Sequence, residues 1–555
     1  MLRKIYKFFI FFASLFLFSF KSFGLGPDFS QTQAENLAVN PDPALQTTPI
    51  NFRVDYLQLR IPNQTDSLGL LGLHAQIIPF KHSLPYFYTG LGTYGAVRGD
   101  NSGFFALGLE SGVQYPIDKN WLIDSGLFLG TGGGHGLSST VGDGAFLESH
   151  FGIDYRFYSD FDYFLLGLAF SHLRFFNSEI NDNQLLFNIT IPTDFSYFPG
   201  FMSSQDFTHD FNPALYQFSR NYFDFTSHLY FPTKNSQTLS GQKLNNSMGL
   251  VGFEFGHYFK NNSPYFIFLN TNGAISGNKD GYAEALGGLG ASYQSNQTSF
   301  YFLSKLSAGS AGGGDIDTAG GFVIKPELGL EFKPANNLGL ALTGAYLFAP
   351  GSSYKVWTAG LDLKYYFDLG SLSQSLSPSL SQSNNLSPDL FNNTGSFNHF
   401  RFRLGNQTYL HPERENSSSE ADSDTDSDTN PDINLLGIKI DFFCQKYLYL
   451  TGQTAFAYTG NAAGYFSGLV GLGLQSPAYH HVYLYSELLG GAAGGAGLDI
   501  GSGKMLEPLL GLGVQINPAW GIYGSWGKTF SPNNQLKTST IDLGFSYALS
   551  TLSHS

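Results

Sequence analysis

The sequence predicts an all-β protein, a membrane-spanning antiparallel β-barrel architecture made of three internal repeats of about eight strands each. Three observations lead there. Only 13% of the 555 residues are charged, about half the roughly 25% of ordinary globular chains, whereas glycine (66), phenylalanine (54) and tyrosine (32) are abundant. Apolar residues alternate with small or polar ones along most of the chain, the period of two that belongs to strands. The same succession of stretches then recurs twice, at a period of roughly 180 residues, which marks a large repeat rather than a propeller blade of about 40–45 residues.

The chain begins with Arg3, Lys4 and Lys7, an apolar run "FFIFFASLFLFSF", and "KSFG". A basic start, a short apolar run and small residues at Ser22 and Gly24 predict a secretory signal peptide over residues 1–24. The run is short of the about 20 apolar residues that a spanning helix needs. Removing residues 1–24 takes away Arg3, Lys4, Lys7 and Lys21 and no acid, so the net charge of −14 becomes −14 − 4 = −18. That acidity argues against nucleic acid as a partner. The single cysteine, Cys444, cannot form an intrachain disulfide.

The first repeat (25–199, with its leader) is expected to hold strands near 51–62, 69–80, 85–97, 103–116, 121–130, 145–157, 161–173 and 184–192. The second (200–370) places them near 221–232, 248–259, 264–275, 282–294, 298–309, 321–333, 337–348 and 355–368. The third (371–555) places them near 399–410, 434–445, 446–458, 465–476, 480–490, 505–516, 519–529 and 538–550. Corresponding strands resemble one another, as in "PYFYTGLGTYGAV" and "PYFIFLNTNGAIS". A polar leader such as "SSQDFTHDFNPALYQFSRN" precedes each repeat and reads as a linker without a core of its own. Inward positions are mostly small, for example Gly339, Ala341, Thr343 and Ala345. This suits an eight-strand barrel, whose interior is just wide enough for side chains to fill. Three tandem eight-strand barrels are therefore favoured, with one barrel of about 24 strands as the alternative.

Links alternate in length. "KNNS", "SNQT" and "KPANN" are short, whereas "PTKNSQTLSGQKLNN" and "HPERENSSSEADSDTDSDTNPD" are long. Within "FVIKPELGLEF", Phe322, Ile324, Pro326, Leu328, Leu330 and Phe332 share one face, and Lys325, Glu327, Gly329 and Glu331 the other. The first set suits lipid and the second a lumen. The same register turns Glu148, His150, Asp154 and Arg156 inward, and Glu507 in the third repeat.

The chain ends "TIDLGFSYALSTLSHS". A polar residue, a glycine and spaced hydrophobic or aromatic residues (Asp542, Gly544, Tyr547, Leu549) resemble the C-terminal signal strand of the bacterial outer-membrane β-barrel superfamily, although six residues follow Leu549 where that family usually ends on an aromatic. The resemblance implies an outer-membrane location, contact with outer-membrane lipid, and recognition by the barrel-assembly machinery during biogenesis. It also implies that the long links are extracellular and the short ones periplasmic.

Candidate chemistry is sparse. "ELLGGAAGGAGLDIGSGKM" resembles a phosphate loop only superficially. Leu498 stands where the first glycine is required and Met505 follows the lysine. Related glycine clusters occur after Leu127 and after Leu306, so the motif belongs to the repeat; mobile turns are the plain reading, and a gate or a close-approach ligand surface the functional one. Glu148, His150, Asp154, Lys325, Glu327, Glu331 and Glu507 are candidate lumen-facing residues, filling the interior or lining a pore. Ser149 beside His150 raises a lipid hydrolase, but adjacent strand residues face opposite ways. Asp422, Asp424, Asp426 and Asp428 could make weak divalent-ion contacts; the loop lacks the glycine and terminal glutamate of a calcium loop. Arg98, Gly99 and Asp100 form an RGD tripeptide, a possible adhesion loop. The expected function is an outer-membrane structural or surface component or passive channel, without cofactor or catalysis. The alternatives are a lipid-modifying enzyme and a surface adhesin.

Overall fold

The computed structural model describes residues 46–553 except 63, 65, 80–82, 101, 135–142, 159–162, 177, 203–215, 260–262, 296–297, 373–395, 413–430, 496–497, 499 and 533–535. The expected signal peptide, most of each leader and Asp422–Asp428 lie outside the described residues.

Twenty-four strands follow in order. The first eight are β1 (Gln46–Leu59), β2 (Leu68–Ile77), β3 (Phe87–Arg98), β4 (Phe105–Pro116), β5 (Trp121–Gly133), β6 (Ala145–Tyr158), β7 (Tyr163–Phe175) and β8 (Asn181–Pro199). The next eight are β9 (Tyr216–Pro232), β10 (Met248–Tyr258), β11 (Tyr265–Ser276), β12 (Ala283–Gln294), β13 (Phe300–Gly312), β14 (Phe322–Ala335), β15 (Leu338–Phe348) and β16 (Lys355–Leu372). The last are β17 (Ser396–Leu410), β18 (Ile433–Phe443), β19 (Leu448–Thr459), β20 (Phe466–Gln475), β21 (Val482–Gly494), β22 (Lys504–Gln515), β23 (Trp520–Phe530) and β24 (Lys537–Ser553).

Within each set, neighbours in sequence pair antiparallel, and the last strand returns to the first. β1 pairs β8 from Gln46↔Tyr197 to Leu57↔Leu186. β9 pairs β16 from Tyr216↔Leu372 to Pro232↔Val356. β17 pairs β24 from Ser396↔Ser553 to Leu410↔Ser539. Each ring of eight strands thus satisfies its own backbone groups, the condition for crossing a lipid layer. The first and third rings touch edge to edge only at Leu549↔Pro199 and Ser550↔Phe198. The first and eighth strands differ from the sequence expectation. β1 starts at Gln46, inside the polar leader, because β8 runs on to Pro199 and supplies it with partners. Polar composition had hidden a pairing that backbone hydrogen bonds alone dictate.

One irregularity recurs. The β2–β3, β10–β11 and β18–β19 ladders each shift register, at Gly69/Leu70, Gly249/Leu250 and Asn434/Leu435. The extra residues are Val97, Ile275 and Tyr458. A bulge frees backbone groups from the ladder and bends the strand locally. It does both at the end where β3, β11 and β19 turn into β4, β12 and β20.

The alternation sorts side chains as period two requires. In β14, Leu328 is 69% exposed while Lys325, Glu327 and Glu331 are buried. Outside, Phe151, Leu289, Leu342, Trp357, Leu510 and Trp526 are all more than half exposed and form an apolar belt. Inside, each lumen is layered. Its long-loop end is closed by an apolar cluster, around Phe104, Phe128, Phe146 and Phe175 in the first ring, Tyr230, Tyr282, Ile316 and Tyr354 in the second, and Tyr409, Tyr465, Met505 and Leu536 in the third. The middle is filled by charge.

Candidate functional site

The lumen of the first ring is an ion-pair network. Arg53 from β1 reaches Asp124 at 2.6 Å and Asp55 at 3.8 Å. His74 lies between Asp55 and Glu110, 3.1 Å from each, and His150 between Asp124 and Glu148, 3.3 Å from each. Tyr88 joins the halves by donating to Asp124 at 3.1 Å. Asp154 accepts from Gln114 at 2.7 Å and Asn188 at 3.2 Å. Arg156, expected inward, is half-buried at the short-turn end, where it donates to the Lys119 carbonyl.

The second ring uses lysines. Lys305 bridges Glu254 (2.8 Å) and Glu327 (3.1 Å), Lys325 approaches Glu284 (3.5 Å) and Glu327 (4.0 Å), and Lys364 approaches Glu331 (3.9 Å) and Asp224 (4.0 Å). Tyr222, Tyr230 and Tyr366 donate to Glu254, Glu284 and Glu331. The third ring uses arginines. Arg401 and Arg403 share Asp441 at 2.6 and 2.7 Å, Arg403 reaches Glu487, and Lys439 holds Asp542 at 2.8 Å. Glu507 accepts from Thr529 at 2.7 Å and Gln407 at 2.8 Å.

All seven sequence-selected lumen candidates are buried, from 0% exposure at Asp154, Glu331 and Glu507 to 8% at Glu327. They sit in three separate networks, Glu148, His150 and Asp154 in the first ring, Lys325, Glu327 and Glu331 in the second, Glu507 in the third. Sequence reasoning missed most of their partners, notably Arg53, Asp124, Lys305, Arg403 and Glu487. The signal was there: in "FRFRLG" both arginines fall on one face of a strand whose other face is apolar.

The hydrolase arrangement does not form. Ser171 gives its hydroxyl to Glu148 at 2.6 Å, and His150 meets carboxylates and Tyr88. A serine nucleophile needs the imidazole, not the carboxylate, at its hydroxyl. Among the described residues no group of three or more His, Cys, Asp or Glu is placed to hold a metal.

The glycine clusters are neither gates nor mobile turns but seams between rings. In each ring the end of the fifth strand lies against the turn after the third strand of another ring. A β-carbon on Gly133 would stand 2.7 Å from Gly464 Cα, one on Gly312 2.8 Å from Gly103 Cα, and one on Gly494 would strike the Gly281 backbone. Contacts therefore run from first ring to third, third to second and second to first. Gly103, Gly281 and Gly464 all have left-handed backbone (φ +82°, +75°, +83°), so the receiving turn needs glycine for its shape as well as for room. Where lipid surrounds the partners, burial of apolar surface provides little drive, and small residues let backbones approach closely enough for packing and hydrogen bonds to hold them. Phe105, Ala283 and Phe466, from the three rings, meet in one apolar cluster with Phe456 beside these seams.

The RGD tripeptide belongs to the same device. Gly99, Gly277 and Gly460 occupy equal places in the three turns, with φ of +99°, +97° and +93°. Gly320 of the second ring packs on the Arg98 backbone. The glycine of the tripeptide is a requirement of the turn.

Closed antiparallel strands, apolar outside and charged within, are the architecture of outer-membrane β-barrel proteins. No protein-family model matches the chain, and no curated protein matches it. Among solved structures it is similar to the ferric enterobactin receptor of Pseudomonas aeruginosa (8% identity, 90% of this chain and 81% of that one, TM-score 0.27). It is also similar to the siderophore receptor PirA of Acinetobacter baumannii (8% identity, 90% and 80%, TM-score 0.28) and to OprB of Pseudomonas putida (9% identity, 59% and 95%, TM-score 0.20).

Proposed function

We propose that this chain is an outer-membrane structural and surface component, three occluded eight-strand barrels joined as a trimer within one polypeptide, rather than a passive channel or one barrel of about 24 strands. The observation that carries this reading is the filled lumen. Each ring pairs its first strand with its last, and the side chains inside bond to one another across it. Eight strands leave an interior that side chains fill, whereas porins of 16–18 strands leave an aqueous channel. The apolar cluster at the loop end of each lumen adds a second barrier. The exposed apolar belt supports a membrane location, and the signal strand ending at Leu549 supports the outer membrane in particular.

The test is conductance of the full chain in planar bilayers, alongside heat-modifiable mobility of the same preparation. Folded protein without large open-channel steps agrees with the proposal. Large steady conductance from folded protein rejects it.

A further inference from the structure

The outward face of the third ring carries a feature that the other two lack. Lys504, Lys528 and Lys537 lie on the adjacent strands β22, β23 and β24, all exposed and all at the long-loop edge of the belt. Apolar side chains lie just below them on the same face, Leu506, Trp526 and Leu543. Register brings the lysines together. Lys528 is opposite Ser539 and Lys537 opposite Phe530, so the two lysines are diagonal neighbours with β-carbons about 7–8 Å apart. Leu506 is opposite Phe530, so Lys504 is one outward step above that row. Two strand spacings and two residues separate it from Lys537, about 12 Å, within the joint reach of two lysine side chains. None of the three makes an ion pair among the described residues; the nearest pairs of the third ring are all inside the lumen.

The repeats supply their own comparison. Counted from the late glycine of each repeat (Gly152, Gly329, Gly511) and its cross-strand partner, the places of Lys504 and Lys528 are held by Phe322 and Tyr346 in the second ring and by Ala145 and His172 in the first. At the third place the second ring has Lys355 and the first Asn181. Only the third ring replaces aromatic or small side chains at this boundary with a full set of cations. A charge at the rim of the belt, pointing away from the barrel, faces the headgroup layer, where each basic residue near an anionic surface adds attraction.

We propose that Lys504, Lys528 and Lys537 form a binding site for the phosphorylated headgroup of a membrane lipid, with Leu506 and Trp526 against its acyl chains. This rests on the outer-membrane reading above, but it is judged separately: conductance bears on the lumen and does not touch the lysines. A phosphorylated glycolipid of the outer leaflet has the required chemistry, two phosphates above several acyl chains.

The experiment uses the full chain in phosphatidylethanolamine vesicles containing either bisphosphorylated lipid A or its dephosphorylated form, with the lipid retained after extraction measured by mass spectrometry. The wild-type chain is expected to retain the phosphorylated form selectively. The Lys504→Gln, Lys528→Gln, Lys537→Gln triple variant should lose that selectivity by about a hundredfold, while the three Lys→Arg changes keep it and Lys355→Gln leaves it intact. Heat-modifiable mobility establishes that each variant is folded. Equal retention of the two lipids by wild type, or unchanged selectivity in the glutamine variant, overturns the proposal. So does selectivity that emerges only when residues 413–430 are deleted, since that acid-rich segment would then be the lysines' partner.

Discussion

Ser310, at the end of β13 in the second ring, donates its hydroxyl to the Ala96 carbonyl of the first ring at 2.6 Å. Ala96 adjoins Val97, the residue bulged out of the β2–β3 ladder, and the bulge is what leaves that carbonyl available. Thr131 makes the matching bond from the first ring to the Ala457 carbonyl of the third. At the remaining seam Ala492 stands where the hydroxyl would be, and it packs against Gly273, next to Ala274. Two seams are hydrogen-bonded and one is not.

Ser310→Ala should therefore lower stability by about 0.5–1.5 kcal/mol, the usual net worth of one hydrogen bond. Ala492→Ser should raise it by a similar amount if its hydroxyl reaches the Ala274 carbonyl. The midpoint of heat-modifiable unfolding measures both. A fall in both variants would show that the three seams are not equivalent.

Gly312→Val should separate the second ring from the first without opening either. Its β-carbon would meet Gly103 and Ser102 backbone, which cannot move aside as a flexible side chain can. Overpacking of this kind costs about 1–3 kcal/mol. A Ser310→Cys, Ala96→Cys pair that cross-links efficiently in the parent should cross-link poorly in the valine variant. Equal cross-linking in both would refute close backbone contact at this seam.

Arg403→Met should be the most damaging single change in the third ring. It leaves Glu487 and Asp441 short of a cation in a lumen where both are buried, and breaking such a pair costs about 3–5 kcal/mol. Circular dichroism of the strand signal during heating should show an early partial loss, with the other two rings melting near their usual temperature. A single undisturbed transition would show that the network contributes little.

Cys444 reports sidedness. It is exposed and lies just after β18, at the short-turn end. A membrane-impermeant maleimide added to intact cells should leave it unlabelled and should label it once the outer membrane is permeabilised. Asp66→Cys in a Cys444→Ala background, in the exposed link between β1 and β2, should give the opposite result. The reverse pattern would invert the orientation and move the Lys504 edge to the inner side.

What the sequence alone determined is local and periodic. Alternation set the strands and their two faces, so Lys325, Glu327 and Glu331 were legible as inward and Leu328 and Leu330 as outward. Repetition fixed the unit of eight strands. What only the tertiary structure decided is every pairing between distant segments. β8 looks weak as a sequence, yet it closes the first ring because β1 and β7 hold it from both sides. Whether eight strands close on themselves or continue into the next eight is the same pattern of alternation either way; the choice lies in which edge meets which. The lumen charges were visible one at a time, but their partners were not, since Arg53 and Asp124 or Arg403 and Glu487 are joined only by the curvature of the ring. The glycine clusters read as loops because a glycine in sequence shows that room is needed without showing what fills it. Here another ring's backbone fills it, and only the fold could bring Gly312 to Gly103, Gly133 to Gly464 and Gly494 to Gly281.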